Sequence, residues 1–194
     1  MRTIELNGVL IITILLVIFA SHNLLAQQFN LNNSKSTMSI FGTSSLHDWE
    51  EVIEEQSGSI QLSTEGEMAI VNLNVSVVAE SIKSDKPAMD KNTYKALKTD
   101  TYKSITFKMT DFKNMTDLGN SEYQVTVSGK LSISGVTKIV DLTFKMKTTT
   151  NAVTLEGEKS LNMKDYGIEP PKALFGTITT GEKVTIKFKS ILTN

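Results

Sequence analysis

Ser44, Ser45, His47 and Asp48 lie almost side by side and supply the side-chain types of a nucleophile, a base and an orienting acid. Such a set performs acyl transfer only when the three groups converge in space. Residues this close along the chain would have to fold back sharply to do so. No G-x-S-x-G elbow and no G-x-x-x-x-G-K-[ST] loop accompanies them. His47 is the only histidine besides His22, and one histidine does not build a multi-histidine metal site. There is no cysteine, hence no thiolate ligand and no disulfide. The sequence therefore points to no catalytic residue, no metal and no cofactor. The plainer expectation is a turn in which His47 and Asp48 bond the backbone, with Trp49 as an apolar plug beside them.

Charge is nearly balanced, with 20 Lys and Arg against 21 Asp and Glu. That balance lacks the basic excess of nucleic-acid binders. Arg2 is the only arginine, so phosphate would be met by lysine or backbone N–H rather than by a guanidinium fork. The charges are also segregated. Glu50, Glu51, Glu54, Glu55, Glu65 and Glu67 form an acidic stretch, which reads as a solvated face. Lys83, Lys86, Lys91, Lys95, Lys98 and Lys103 follow in a lysine-rich one. It reads either as a second solvated face or as a basic lip for an anionic head group or membrane surface.

Strands must position these groups. Leu73, Val75 and Val77 alternate with polar residues, as do Val125 and Val127, Leu142 and Phe144, and Ile186 and Phe188. Side chains on a strand point to opposite faces in turn, so each segment has one apolar face. Strands are expected near 37–46, 51–55, 58–63, 68–78, 105–112, 122–134, 139–149, 153–163 and 184–192. Glu65-Gly66-Glu67, Leu118-Gly119-Asn120 and Ser134-Gly135-Val136 mark turns. Gly58 and Gly129 suggest bulges or bends. Asp90 to Lys98 reads as a short helix, capped by Asp90 and packed through Tyr94 and Leu97. Lys164 to Phe175, with Pro170-Pro171, reads as irregular. Such a set of strands makes either a two-sheet sandwich or a closed barrel, and periodicity does not choose between them.

The N-terminus differs from the rest. Arg2, the apolar run Val9 to Ala20 and the small residue Ala26 have the layout of a secretory signal peptide. The expected division is a signal peptide over 1–26 and one domain over 27–194.

Several stretches resemble the YceI-like family of polyisoprenoid-binding, lipocalin-like barrels. Gly42-Thr43-Ser44-Ser45-Leu46-His47-Asp48-Trp49 is similar to its GTSxxHDW turn. Tyr102 with Ile105-Thr106-Phe107 resembles its YPxIxF strand start, although Lys103 stands where proline is usual. Gly129 to Lys138 resembles its GxLTIxGVTK hairpin, and Asp165-Tyr166-Gly167-Ile168 its DFGI loop. The resemblance implies an all-β, single antiparallel lipocalin-like barrel of about eight strands, with one short helix near its mouth. It also implies a long apolar pocket for an isoprenoid chain and a periplasmic location; it does not imply catalysis.

On that reading the inward residues of the strands line the pocket. They are Val71, Leu73 and Val75; Ile105, Phe107 and Met109; and Val125, Val127 and Leu131. Leu142 and Phe144, then Ile186 and Phe188, complete the set. Rim or head-group candidates are His47, Asp48, Trp49, Lys83, Lys91 and Lys95. The expected partner is a polyisoprenoid or isoprenoid-quinone-like lipid, with transient membrane-surface contact and no nucleic acid; the sequence leaves the oligomeric state open, a homodimer included. A barrel filled by its own side chains, acting as an envelope interaction module, is the competing expectation. An ester hydrolase built on Ser44 or Ser45 with His47 is the third.

Overall fold

The alternating segments pair into one antiparallel sheet that closes on itself. The structure is a computed structural model and describes residues 26–63 and 67–194. All of the expected signal peptide except Ala26 lies outside the described residues, as do Glu65 and Gly66 of the expected turn. The strands are β1 (Ala26–Leu31), β2 (Thr37–Ser44), β3 (Trp49–Ile53), β4 (Gln56–Ser63), β5 (Ile70–Val78) and β6 (Ile82–Lys83). After the helix α1 (Pro87–Leu97) come β7 (Ser104–Gly119), β8 (Glu122–Ile133), β9 (Val136–Thr148), β10 (Ala152–Asn162), β11 (Lys172–Ala173) and β12 (Ile178–Thr193). The ring runs β1-β4-β5-β7-β8-β9-β10-β12 and closes by pairing β12 with β1. This is an eight-stranded barrel, and closure removes the exposed strand edges an open sheet would leave.

Three breaks divide the barrel into two halves. β1 and β2 are successive parts of one path along β12, interrupted by a 3-10 turn at Asn33–Lys35. β3 and β4 pair with β2 and β1 in the same way, and β6 and β5 with β3 and β4. Short polar side chains hold the interruptions together. The Asn33 amide donates to the Glu54 carbonyl at 2.7 Å and accepts from Gln56 N at 3.0 Å. Ser81 Oγ accepts from Glu55 N at 3.0 Å and donates to the Val78 carbonyl at 2.8 Å. These bonds satisfy backbone groups that the broken ladders leave over.

Below the breaks, Phe29, Ile60, Val125, Val127, Met146 and Val153 interlock with almost no exposure. Above them, a second cluster around Met38, Ile53, Val77 and Ile82 surrounds open space. The helix lies over that end.

Several elements depart from the sequence reading. β1 escaped it because AQQFNL buries only Phe29 and shows no alternation. β7 runs on to Gly119 because register shifts after Met109, Phe112 and Asp117 reset its inward face. Those shifts bring Met109, Phe112 and Met115 to the core in turn, which strict alternation hides. Gly129 stands beside the first of them, and a Cβ there would come within 2.4 Å of the Phe107 ring. Gly58 lies in regular pairing, where the Asn74 carbonyl approaches too closely for any side chain. The helix begins at Pro87, and Pro suits the first helical position because no partner awaits its missing N–H. Asp90 is therefore inside the helix and does not cap it. It bonds backward to Ser84, whose N–H and O–H donate to Oδ1 at 2.8 and 2.7 Å.

Candidate ligand cavity and its polar points

Above the breaks the barrel holds a cavity of about 460 Å³. That falls within the range of small-molecule sites, roughly 300–1,000 Å³. Its wall is built by inward positions two residues apart: Met38 and Ile40 on β2, Leu73, Val75 and Val77 on β5, Ile105 and Phe107 on β7. Leu131 on β8, Leu142 and Phe144 on β9, and Ile186 and Phe188 on β12 close the far side. The helix covers one flank with Ala88, Met89, Asn92, Thr93, Ala96 and Leu97, one stripe of its surface. Tyr94 was expected on that stripe. Its hydroxyl instead donates to the Glu80 carbonyl at 2.8 Å and accepts from Lys83 Nζ, so the ring ties helix to sheet.

The turn after β2 forms part of the rim. Ser44 Oγ donates to the His47 carbonyl at 2.7 Å and accepts from His47 N at 3.1 Å. The Nδ1–H of His47 donates to the Asp48 carbonyl at 2.7 Å. Serine and histidine thus meet through backbone, and no relay from Ser44 Oγ to the imidazole is formed. Ser45 pairs with Thr179, which fastens the turn to β12. Trp49 lines the cavity, and its indole N–H donates to the Thr43 carbonyl at 3.0 Å. The ring lies against Gly42, where an added Cβ would sit 2.1 Å from it. Only glycine leaves room for this seat.

The lining is apolar with a few polar exceptions. Glu51 lies between Trp49 and Ile53 on the inner face of β3 and is only 2% exposed. Thr93 Oγ1 donates to its Oε1 at 2.6 Å. Burial pushes its pKa above the ordinary glutamate value; the Thr93 bond opposes that rise and the nearby Asp90 adds to it. Asp90 is also buried, yet the two bonds from Ser84 and the charge of Lys83 outweigh burial and hold it lower than usual. Tyr166 reaches the cavity from the 3-10 turn after β10, and its buried hydroxyl has no partner among the described residues. Lys159 faces inward from β10 and donates to the Asp141 carbonyl at 2.8 Å. It spans the gap that opens where β9 and β10 cease to pair beyond Gly157.

A family model for the YceI-like domain matches residues 29–191. The chain belongs to the YceI-like family. Solved structures agree at the level of fold. A polyisoprenoid binding domain from Saccharophagus degradans, implicated in plant cell wall breakdown, superposes with a TM-score of 0.67 at 15% identity, covering 85% of this chain and 97% of that one. BcnA from Burkholderia cenocepacia gives 0.65 at 16% identity, covering 83% and 98%. The YCEI protein of Campylobacter jejuni gives 0.52 at 13%, covering 73% and 82%. A search of the curated proteins found no match.

Within this YceI-like barrel the expected pocket residues divide. Leu73, Val75, Ile105, Phe107, Leu131, Leu142, Phe144, Ile186 and Phe188 line the cavity. Val71 does not, and it is 44% exposed. A bulge explains it: Leu62 pairs with Ile70 and Gln61 with Asn72, so Val71 is the extra residue and the inward face passes to Ile70. Val125 and Val127 point inward but are sealed in the lower core, and Met109 packs against that core. Of the rim candidates, His47 and Trp49 line the cavity, whereas Asp48, Lys83, Lys91 and Lys95 do not. Lys91 and Lys95 project from the exposed side of α1, and Lys86 at the helix start lines the cavity instead. The acidic stretch was expected to be solvated throughout, which Glu51 is not. Its place midway between Trp49 and Ile53 on an alternating strand was the available signal.

Proposed function

We propose that this chain holds a polyisoprenoid or isoprenoid-quinone-like lipid in the upper half of its barrel, as a carrier or store. The cavity carries the reading: a partly open space of about 460 Å³ in the upper barrel, walled mostly by apolar side chains. Each CH₂ transferred into it contributes about 0.8 kcal/mol, so even a few isoprene units would be held without covalent chemistry. The resemblance to a structure described as a polyisoprenoid binding domain supports the same ligand class. The filled-core interaction module required an interlocked interior, and the open upper half counts against it.

The proposed setting is the periplasm, reached through removal of 1–26, with transient contact to a membrane surface during loading. Among the described residues no helix is long and apolar enough to cross a bilayer. Protein purified from its native host, extracted with organic solvent and analysed by mass spectrometry, should release a prenyl lipid. Ligand-free extracts, together with no uptake of prenyl lipids in vitro, would sink the proposal.

A further inference from the structure

Glu51 is out of place in an oily chamber. A carboxyl group excluded from bulk water is costly unless it is paired or neutral. Here the described residues provide no ion pair to it and one hydrogen bond, from Thr93. The charged groups around it are otherwise engaged. On α1, Asp90 is bonded to Ser84. On β6, Lys83 is bonded to Tyr94 and lies 5.0 Å from the centre of its ring. On β10, Lys159 is bonded to the Asp141 carbonyl. On β2 the residue opposite Glu51 is Ile40, which brings no charge. Lys86 and His47 belong to the cavity rim, and His47 uses Nδ1 on Asp48.

We propose that Glu51 and Thr93 form the post that receives the polar end of the bound lipid, and that they select a neutral, oxygen-bearing head group over a phosphorylated one. This inference rests on the lipid-binding reading and adds the head-group class to it. Protonated Glu51 keeps one oxygen as acceptor for Thr93 and turns the other O–H toward a carbonyl, ether or hydroxyl oxygen. The charge of Asp90, felt at Glu51, opposes an anionic head at this post, and ionised Glu51 would add to that repulsion. Burial and the Asp90 charge both favour the neutral acid, so the donor persists to higher pH than a surface glutamate allows. As pH rises through the Glu51 pKa the donor is lost, and a carboxylate faces the ligand oxygen in its place.

Three probes with one tail separate the possibilities: farnesane, farnesol and farnesyl diphosphate, titrated calorimetrically at pH 5 and pH 8.5. The wild type should bind farnesol about tenfold more tightly than farnesane at pH 5, the worth of one buried hydrogen bond. That advantage should vanish at pH 8.5. Glu51→Gln, which donates at every pH, should keep it at both. Farnesyl diphosphate should bind more weakly than farnesol to the wild type at pH 5. Glu51→Leu should lose the preference for farnesol over farnesane at pH 5. Equal binding of farnesol and farnesane by the wild type at pH 5, a pH slope unchanged in Glu51→Gln, or preference for the diphosphate would overturn the assignment while leaving lipid binding intact. Failure of all three probes to bind would overturn the lipid-binding reading itself.

Discussion

The two halves of the barrel use the same strands for opposite ends. Below the strand breaks, β4, β8 and β9 meet through Ile60, Val125, Val127 and Met146, each essentially without exposure. Above them, β8, β9 and β12 spread around a void lined by Leu131, Leu142 and Ile186, each only half-buried. The residue types are alike, so hydrophobicity does not distinguish the halves. What differs is whether the opposing wall is close enough to fill the gap. The lower half supplies stability through dense packing, and the upper half gives up some of it to keep a chamber open.

The sharpest way to break this contrast is a matched pair of truncations. Ile60→Ala, in the lower core, should cost about 2–5 kcal/mol by urea unfolding, because it opens a new cavity in a packed interior. Ile186→Ala enlarges a void that already exists and should cost less than half as much. Equal losses would mean that the chamber is not empty in solution.

Filling the chamber tests it from the other side. Ala96→Phe places a ring on the helix stripe that faces the void. It should reduce prenyl-lipid uptake at least about tenfold, measured by equilibrium dialysis, without lowering the unfolding midpoint. Overpacking of a full core would instead cost about 1–3 kcal/mol.

Proton linkage offers a subtler comparison. The folded-state pKa of Glu51 is raised above its unfolded value, chiefly by burial. Folding stability is therefore greatest below the unfolded pKa and declines as pH climbs through the folded one. Glu51→Gln should accordingly raise the thermal midpoint at pH 8 and leave it nearly unchanged at pH 4. Asp90, whose pKa is lowered, contributes in the opposite sense, and its stabilisation is lost on strong acidification.

The smallest effect concerns Val71. Turned outward by its bulge, it should tolerate Val71→Thr within about 0.5 kcal/mol, whereas Leu73→Thr two residues on should be strongly destabilising. Similar costs at the two positions would mean that the bulge is absent.

These positions also show what the sequence makes legible. Leu73, Phe107, Leu131 and Phe188 were readable as inward because alternation on an uninterrupted strand is a local property. Val71 was misread because a bulge shifts the phase, and nothing in IVNLN marks which residue is extra. Val125 and Val127 were readable as inward but not as sealed, since depth along a barrel depends on how distant strands converge. The lysines of the helix were assigned to the rim by composition. The stripe of Ala88, Met89, Asn92 and Ala96 faces the cavity, which leaves Lys91 and Lys95 outward. The burial of Glu51 on the cavity wall went unread because a neighbouring run of acids suggests a wetted face.

The seat of Trp49 on Gly42 has a practical corollary. It is the only tryptophan in the chain, and its indole borders the chamber. Emission from this single fluorophore will therefore report the local medium without any label. Arrival of a hydrocarbon beside the ring should shift the spectrum toward the blue, and departure should reverse it. The molecule thus carries a built-in optical gauge of its own occupancy.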